Sequence, residues 1–518
     1  MAKAIMLQGT SSHVGKSVLT AALCRIFLQD GLAVVPFKSQ NMALNSFVTR
    51  SGGEMGRAQV AQAEAAGLEP EVVMNPILLK PTGNARSQVI IMGKPVAVLS
   101  AKEYHEQFAP TALGVIEQCI RELHDKYAVI VIEGAGSPAE VNLRKTDIAN
   151  MRIAQMVPAP VLLVADIDRG GALAAVVGTL ELLEPEERAR IKGIIINKFR
   201  GDMELLRPGL EFLEQKTGKP VVGVIPYFQG FRIADEDSVA LDTRLQRSER
   251  EDLVEIAVLR TPKISNFTDF DPLEDECDVY LRYVNKGEKI GQPDLVLLPG
   301  SKNTIEDLIY LKEQGYDQEI INLVNTGIPV IGICGGYQML GVEIYDPYHT
   351  ETADDSIEAL GLLPVSTTFA QEKITHQVEA EGCGLGLFGE PFAAGTLVGY
   401  EIHMGRTDFL EKAAHPFRIT LRSREAVDAQ DGVIRSDGLV MGTYIHGLFD
   451  NNIFRRGILN QLRTRKGWST LPVSSLSTHQ QKESNYNQLA DTVRQGLNMQ
   501  KIYDIMGFMP EGMNSDDR

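Results

Sequence analysis

Four stretches of this chain carry runs of apolar residues without polar alternation. They are Tyr127-Ala-Val-Ile-Val-Ile-Glu-Gly-Ala-Gly136, Pro160-Val-Leu-Leu-Val-Ala-Asp166, Lys192-Gly-Ile-Ile-Ile-Asn-Lys198 and Pro220-Val-Val-Gly-Val-Ile-Pro226. A strand with one face in water alternates apolar and polar residues. Runs without alternation have both faces covered, which means a parallel sheet between layers of helices. An α/β fold follows, with polar residues such as Glu133, Asp166 and Asn197 delivered to the carboxyl edge of the sheet. A length of 518 residues implies two or three domains, and 44% hydrophobic content supplies their cores. The net charge of −17 argues against nucleic acid as a partner, and any anionic substrate needs a local basic patch. Five scattered cysteines with neither paired nor zinc spacing fit a reducing, cytoplasmic setting. Cys24 and Cys119 lie in helix-like apolar stretches and read as core. Neither a signal peptide nor a run of membrane-spanning length is evident.

The amino-terminal end adds a chemistry. Lys3 to Gly9 is a short apolar strand, and Val18 to Asp30 reads as a helix. Between them, Gly9-x5-Gly15-Lys16-Ser17 is a phosphate-binding loop with one residue more than the common spacer. Backbone N–H groups at Thr10, Ser12, His13, Val14 and Gly15, with the helix N-terminus, would surround the phosphates of ATP. Lys16 would reach the β and γ oxygens, and the Ser17 hydroxyl would ligate Mg2+. Glu133 would hold the same ion, the alternative being a strand-ending acid in solvent. Asn197 and Lys198 end a strand where a nucleotide base would lie; Asn197 reads as a base contact or a helix cap. The longer loop resembles that of dethiobiotin synthetase and the cobyrinate amidases. Related partition ATPases carry a second lysine where this chain has Ser11, which argues against a dimerising switch.

A second chemistry is written at Val330-Ile-Gly-Ile-Cys-Gly-Gly-Tyr-Gln-Met-Leu-Gly341. A buried strand breaks at Cys334 and restarts as a helix, the pattern of a nucleophile held on a strained turn. Gly332, Gly335 and Gly336 keep the turn free of Cβ atoms, and the Gly335 N–H can donate to an oxyanion. His446, at a strand end before Gly447, is the first candidate base, and His403 the runner-up. The segment Asp294 to Thr304 ends a strand in a loop whose Gly300 N–H would complete the oxyanion hole, or is an ordinary turn.

These pieces, in this order, resemble a class I glutamine amidotransferase. The resemblance implies that Cys334 attacks glutamine and releases ammonia through a glutamyl thioester. Many members carry His-x-Glu, but Gly447 and Leu448 follow His446 here. Either another acid orients the imidazole or a Cys–His dyad does the work.

Residues 1–240 are therefore expected to form an ATP-dependent synthetase domain and 252–455 the amidotransferase. The densely charged stretch Leu241 to Asp252 would join them. Residues 456–518 read as a tail in which Tyr486 to Met506 is helical and packs on a domain face. Two chemistries on one chain point to ATP-driven amidation: phosphorylation activates a carboxylate that ammonia then attacks. An interdomain ammonia channel is expected.

Further blocks sharpen the resemblance: Pro36-Phe-Lys-Ser-Gln-Asn-Met-Ala-Leu-Asn-Ser46, Ala165-Asp-Ile-Asp-Arg-Gly-Gly171, Asn197-Lys-Phe-Arg-Gly-Asp202, Leu298-Pro-Gly-Ser-Lys-Asn-Thr304 and Gly399-Tyr-Glu-Ile-His-Met-Gly-Arg406. Over nearly the whole chain they resemble the cobyric acid synthase family. The family is implied to amidate the b, d, e and g carboxylates of the corrinoid adenosylcobyrinic acid a,c-diamide, with glutamine as nitrogen donor. The a,c-diamide enzyme has Gly-Pro-Asp where this chain has Gln40-Asn41-Met42, which sets that alternative, and other amidoligases, behind. Lys38 would bridge phosphate and substrate carboxylate, or lie in solvent. Asn41 and Asn45 would meet the corrin rim, or form turns. Asp147 would bind a second magnesium or orient ammonia, or cap a helix. Asp166 and Asp168 share that edge with the same alternatives. A homo-oligomer is possible on this reading.

Overall fold

A computed structural model describes residues 2–83, 86–228, 252–391, 393–474 and 478–508. The described residues within Met1–Ala43, Met55–Ala234 and His479–Arg518 form one compact unit. Those within Leu44–Glu54 and Asp235–Thr478 form the other. The expected junction at Leu241 to Asp252 lies, up to Glu251, outside the described residues.

The first unit is built on a six-stranded sheet, ordered Val221–Pro226, Ile191–Phe199, Val161–Asp166, Lys3–Gly9, Val129–Glu133, Val34–Phe37. All its pairings are parallel. Three of the unbroken apolar runs are inner strands, and Ile5, Val131, Leu163 and Ile195 are wholly buried, whereas Val221–Pro226 is the edge strand and buries only Val222 and Ile225. Helix Lys16–Gln29 follows the first strand. A four-stranded sheet of Gln40–Met42, Ile77–Gly83, Arg86–Ile91 and Lys94–Ser100 was not legible, because its edge strand leaves Val96 and Val98 exposed.

From His479 onward the expected tail belongs to this unit, while residues 456–478 group with the second. The part in this unit is built from helices Thr478–Gly496 and Met499–Met506. Leu489, Ala490, Val493, Ile502 and Tyr503 join the apolar cluster that holds Leu23 and Phe27 of the first helix. Arg25 pairs with Glu483 at 2.9 Å, and the Tyr486 hydroxyl donates to Glu64 at 2.8 Å. Cys24 and Cys119 are buried, and burial pushes both thiols up, Cys119 to about 11.

The second unit has a six-stranded sheet, ordered Val279–Val284, Val254–Leu259, Leu295–Leu298, Val330–Ile333, Val440–Thr443, Val433–Ile434. Its pairings are parallel except the last. A further sheet is dominated by two long antiparallel strands, Val365–Gly382 and Thr396–Phe409. Their mixed burial reflects faces that change partner along the strand, which blurs the alternation in sequence. Among the described residues no helix is long and apolar enough to cross a membrane.

Candidate active sites

In the first unit the phosphate loop leaves its strand at Gly9 and enters its helix at Gly15, whose φ of 98° is left-handed. Glycine is required there twice over. Positive φ strains other residues, and a Cβ would sit 2.2 Å from Asn197 Nδ2. The Asn197 amide donates to Val14 O at 2.8 Å, and Lys198 Nζ donates to His13 O at 2.7 Å, so the neighbouring strand end braces the loop. Lys16 Nζ donates to Ser11 O and Gly136 O at 3.1 and 3.0 Å, which holds the ammonium across the loop mouth.

Glu133 is the hub of this edge. Its carboxylate accepts from Ser17 Oγ and Lys38 Nζ, both at 2.9 Å, and from Gln62 Nε2 at 2.5 Å. Burial is the largest influence on this group and opposes the charge. Lys38, Gln62 and Lys16 outweigh it and hold the carboxyl below its usual range. Ser17 Oγ and Glu133 Oε1 are the hard oxygen donors that Mg2+ prefers, beside a loop that would present phosphate oxygens.

In the second unit Cys334 stands between strand Val330–Ile333 and helix Gly335–Met339, at φ 53° and ψ −107°. The strain projects the thiol, which donates to Ile402 O at 3.6 Å. A Cβ on Gly336 would lie 2.1 Å from Leu298 O, so only glycine lets the elbow pack on its neighbouring strand. His446 is buried. Its Nδ1 lies 2.6 Å from Asp269 Oδ2, and Asp269 Oδ1 accepts from Gly447 N at 3.0 Å. That carboxylate fixes the proton on Nδ1 and leaves Nε2 for the reaction. Burial, again the largest influence, disfavours the imidazolium. The charges of Asp269 and Cys334 overcome it and raise His446 to about 10.

Two domain families cover these two sites. Residues 5–240 match the CobQ/CobB/MinD/ParA nucleotide binding domain, and residues 255–454 the CobB/CobQ-like glutamine amidotransferase domain. A cobyric acid synthase of Pelotomaculum thermopropionicum is 57% identical over 98% of this chain and 97% of its own. Those of Desulforamulus reducens and Moorella thermoacetica are 54% and 55% identical, each over 98% of both chains. The chain belongs to the cobyric acid synthase family.

Ser12, His13, Val14, Gly15, Lys16, Ser17, Glu133 and Asn197 gather at one sheet edge, with the Val14 side chain turned into the apolar core. Thr10 differs from expectation, because its N–H is donated to Val164 O at 2.9 Å. The Asn197 amide nitrogen reaches the loop backbone. Lys38 is buried and paired, not solvated. Asn41 donates to Gln59 at 2.8 Å from within a strand, and Asn45 is fully buried and groups with the second unit. Asp166 pairs with Lys198 at 2.8 Å and Asp168 with Arg200 at 3.2 Å.

Asp147 takes its structural alternative. Its oxygens accept from the backbone N–H groups of Ala149, Asn150 and Arg152 at the start of helix Met151–Met156. Gly300 also needs correction as an oxyanion donor. It pairs with Ser265 in a short antiparallel ladder, and Lys302 N donates to Lys263 O two places along. Alternation makes Ser265–Gly300 the hydrogen-bonded pair, so the Gly300 N–H faces Ser265 and the Ser301 N–H faces the other way. A Cβ on Gly335 would lie 2.9 Å from Ser301 N, which puts that amide against the elbow. The runner-up base, His403, gives its Nδ1 proton to Gly405 O at 2.8 Å and stacks on Tyr444 at 3.8 Å. Burial lowers it to about 4, so it is neutral. Asp269 and Ser301 were missed: neither stands in a pattern that marks it, and only folding brings Asp269 to a histidine 177 positions away.

Proposed function

We propose that the chain is an ATP- and glutamine-dependent amidoligase that converts four peripheral carboxylates of adenosylcobyrinic acid a,c-diamide to amides. The observation that carries the reading is identity above half over almost the full length with named cobyric acid synthases. An Asp269–His446 pair beside a strained Cys334 and a braced phosphate loop supply the two chemistries.

The Cys334 thiol passes its proton to His446 Nε2, and Sγ attacks the side-chain carbonyl carbon of glutamine. The developing oxyanion would be met by the N–H groups of Gly335 and Ser301. His446 passes its Nε2 proton to the leaving nitrogen, and ammonia departs from a glutamyl thioester. The neutral ring then takes a proton from water, whose oxygen attacks the thioester and frees glutamate and the thiol. Asp269 holds the ring and balances its charge throughout.

In the first unit the loop amides and Lys16 would bind the ATP phosphates, with Mg2+ held by Ser17 and Glu133 to neutralise charge on the transferred group. A substrate carboxylate oxygen takes the γ-phosphoryl group and ADP leaves. Ammonia attacks the acyl phosphate, and inorganic phosphate leaves with the amide formed. Lys38, paired with Glu133 at 2.9 Å, would receive the incoming carboxylate.

Mass spectrometry of the a,c-diamide incubated with protein, ATP, magnesium and glutamine tests this. Stepwise exchange of hydroxyl for amino, stopping after four steps, is expected. Glutamine hydrolysis without change in the corrinoid would overturn the substrate assignment.

A further inference from the structure

The glutaminase side chains are backed by a segment from early in the sequence. Leu44–Glu54 groups with the amidotransferase unit, although the residues before and after it belong to the other. Five polar contacts tie it down. Ser46 N donates to Asn266 Oδ1 at 3.1 Å, and the Tyr400 hydroxyl donates to Ser46 O at 3.3 Å. Gln377 Nε2 reaches Val48 O at 3.0 Å, Thr375 Oγ1 reaches Gly52 O at 2.7 Å, and Lys373 pairs with buried Glu54 at 2.6 Å. Val48 is fully buried in a small cluster with Tyr400 and Ile402, and Phe47 packs on the outside of it.

That cluster touches the catalytic groups. The Phe47 ring lies 5.3 Å from the Tyr400 ring, and Tyr400 lies 5.1 Å from His446 and nearly parallel to it, at 15°. Ile402 O receives the Cys334 thiol. Asn266, held by Ser46, begins the turn Phe267–Phe270 that carries Asp269. The Asp269 bond fixes one nitrogen of the imidazole but leaves the ring free to rotate about that bond. A ring stacked on its face removes that freedom, and Phe47 keeps the stacked ring in place.

We propose that Phe47 and Val48 are positioning residues of the glutaminase, holding Tyr400 and Ile402 and, through them, His446 and Cys334. The matched amidotransferase domain, residues 255–454, then lacks part of its own site, which the amino-terminal half supplies. This rests on Cys334 and His446 being the nucleophile and base.

The test uses the full chain with Phe47→Ala and Phe47→Tyr, alongside Cys334→Ala. Glutamine hydrolysis is measured across pH, with ammonia-driven corrinoid amidation and thermal unfolding. The pH dependence of Cys334 alkylation by iodoacetamide is read from its peptide by mass spectrometry. For Phe47→Ala, kcat for glutamine hydrolysis is expected to fall about 10- to 100-fold with KM little changed, because a small misplacement of a reacting group costs that much. The alkylation profile should move, ammonia-driven amidation should persist, and Phe47→Tyr should restore kcat. Wild-type kcat and alkylation in Phe47→Ala would overturn the proposal, as would equal loss in both assays with a lowered unfolding temperature. Full glutamine hydrolysis by Cys334→Ala would instead sink the nucleophile assignment beneath it.

Discussion

The phosphate loop and the cysteine elbow are the same device, a strand that turns abruptly into a helix, yet at the residue entering the helix they place the awkward backbone angle on opposite kinds of residue, although His13 within the loop also has a φ of 60°. At the loop the left-handed residue entering the helix is Gly15, which adopts it freely. At the elbow it is Cys334 itself, at a cost of roughly 1–3 kcal/mol that the surrounding sheet must offset. The loop works through its backbone, so it wants N–H groups exposed and side chains absent. The elbow works through one side chain, so the strain is put where it drives the thiol out of the sheet edge. Their supports differ too. Lys16, Ser17 and Glu133 meet across neighbouring strand ends, whereas the elbow draws Asp269, Ser301, His446 and Phe47 from four separated parts of the chain.

If the two devices are separable, removing one should spare the other. Cys334→Ala should lower glutamine-dependent amidation by something on the order of 10^5-fold, because the reacting atom is gone, while free ammonia at raised pH still supports synthesis. Glutamine-dependent turnover in that variant, measured by product formation, would break the comparison outright. Asp269→Asn comes next and sharpens it. Shape is kept but the charge holding the imidazolium is lost, and a fall of roughly 10^3-fold in glutamine hydrolysis is expected, again with ammonia-driven synthesis preserved.

The same variant has a pH signature. His446 is raised to about 10 in the folded chain against about 6.5 when free. Its charged pairing therefore stabilises the fold fully below about pH 6.5, and that stabilisation disappears as pH rises through about 10. Asp269→Asn should flatten this dependence in denaturation curves measured between those limits. An unchanged slope would mean that His446 carries no charge at neutral pH.

Lys16→Ala tests the other side, and its effect should fall on both nitrogen donors alike. Losing one charge-bearing donor to the transferring phosphoryl group costs roughly 10^2-fold. Glutamine hydrolysis without ATP should stay near its original rate. A selective loss with glutamine alone would show that Lys16 serves the amidotransferase and not the phosphates.

The contrast also explains what could be read beforehand. The central strands of both parallel sheets, the phosphate loop and the Cys334 elbow are local patterns, where spacing and apolar content state the geometry directly. His446 was legible for the same reason, as a histidine at a strand end before glycine. Asp269 was not, since Asn266-Phe-Thr-Asp-Phe270 reads as an ordinary turn until the Asp269–His446 bond exists. Gly300 misled because a glycine before a helix suggests a free N–H, and the ladder to Ser265 that occupies it is set by non-local pairing.

The smallest effect concerns a residue that looks catalytic and stands next to catalytic groups. Asp147 was a candidate for metal or ammonia, but both its oxygens are committed to three backbone N–H groups that open a short helix. Replacing it with alanine should remove a cap worth about 1 kcal/mol, visible as a small shift in the denaturation midpoint. Asn keeps an acceptor oxygen while removing the charge, so Asp147→Asn should recover most of that stability. Amidation rates at saturating magnesium should stay within about tenfold for both variants, since no reacting atom depends on a cap beyond the precision it lends the strand edge. A larger loss in Asp147→Asn than in Asp147→Ala, or a rate rescued by excess magnesium, would mean that the charge itself is used. Asp147 would then belong with Glu133 in the phosphate-loop chemistry, and that site would reach further from its motif than the loop and neighbouring strand ends suggest.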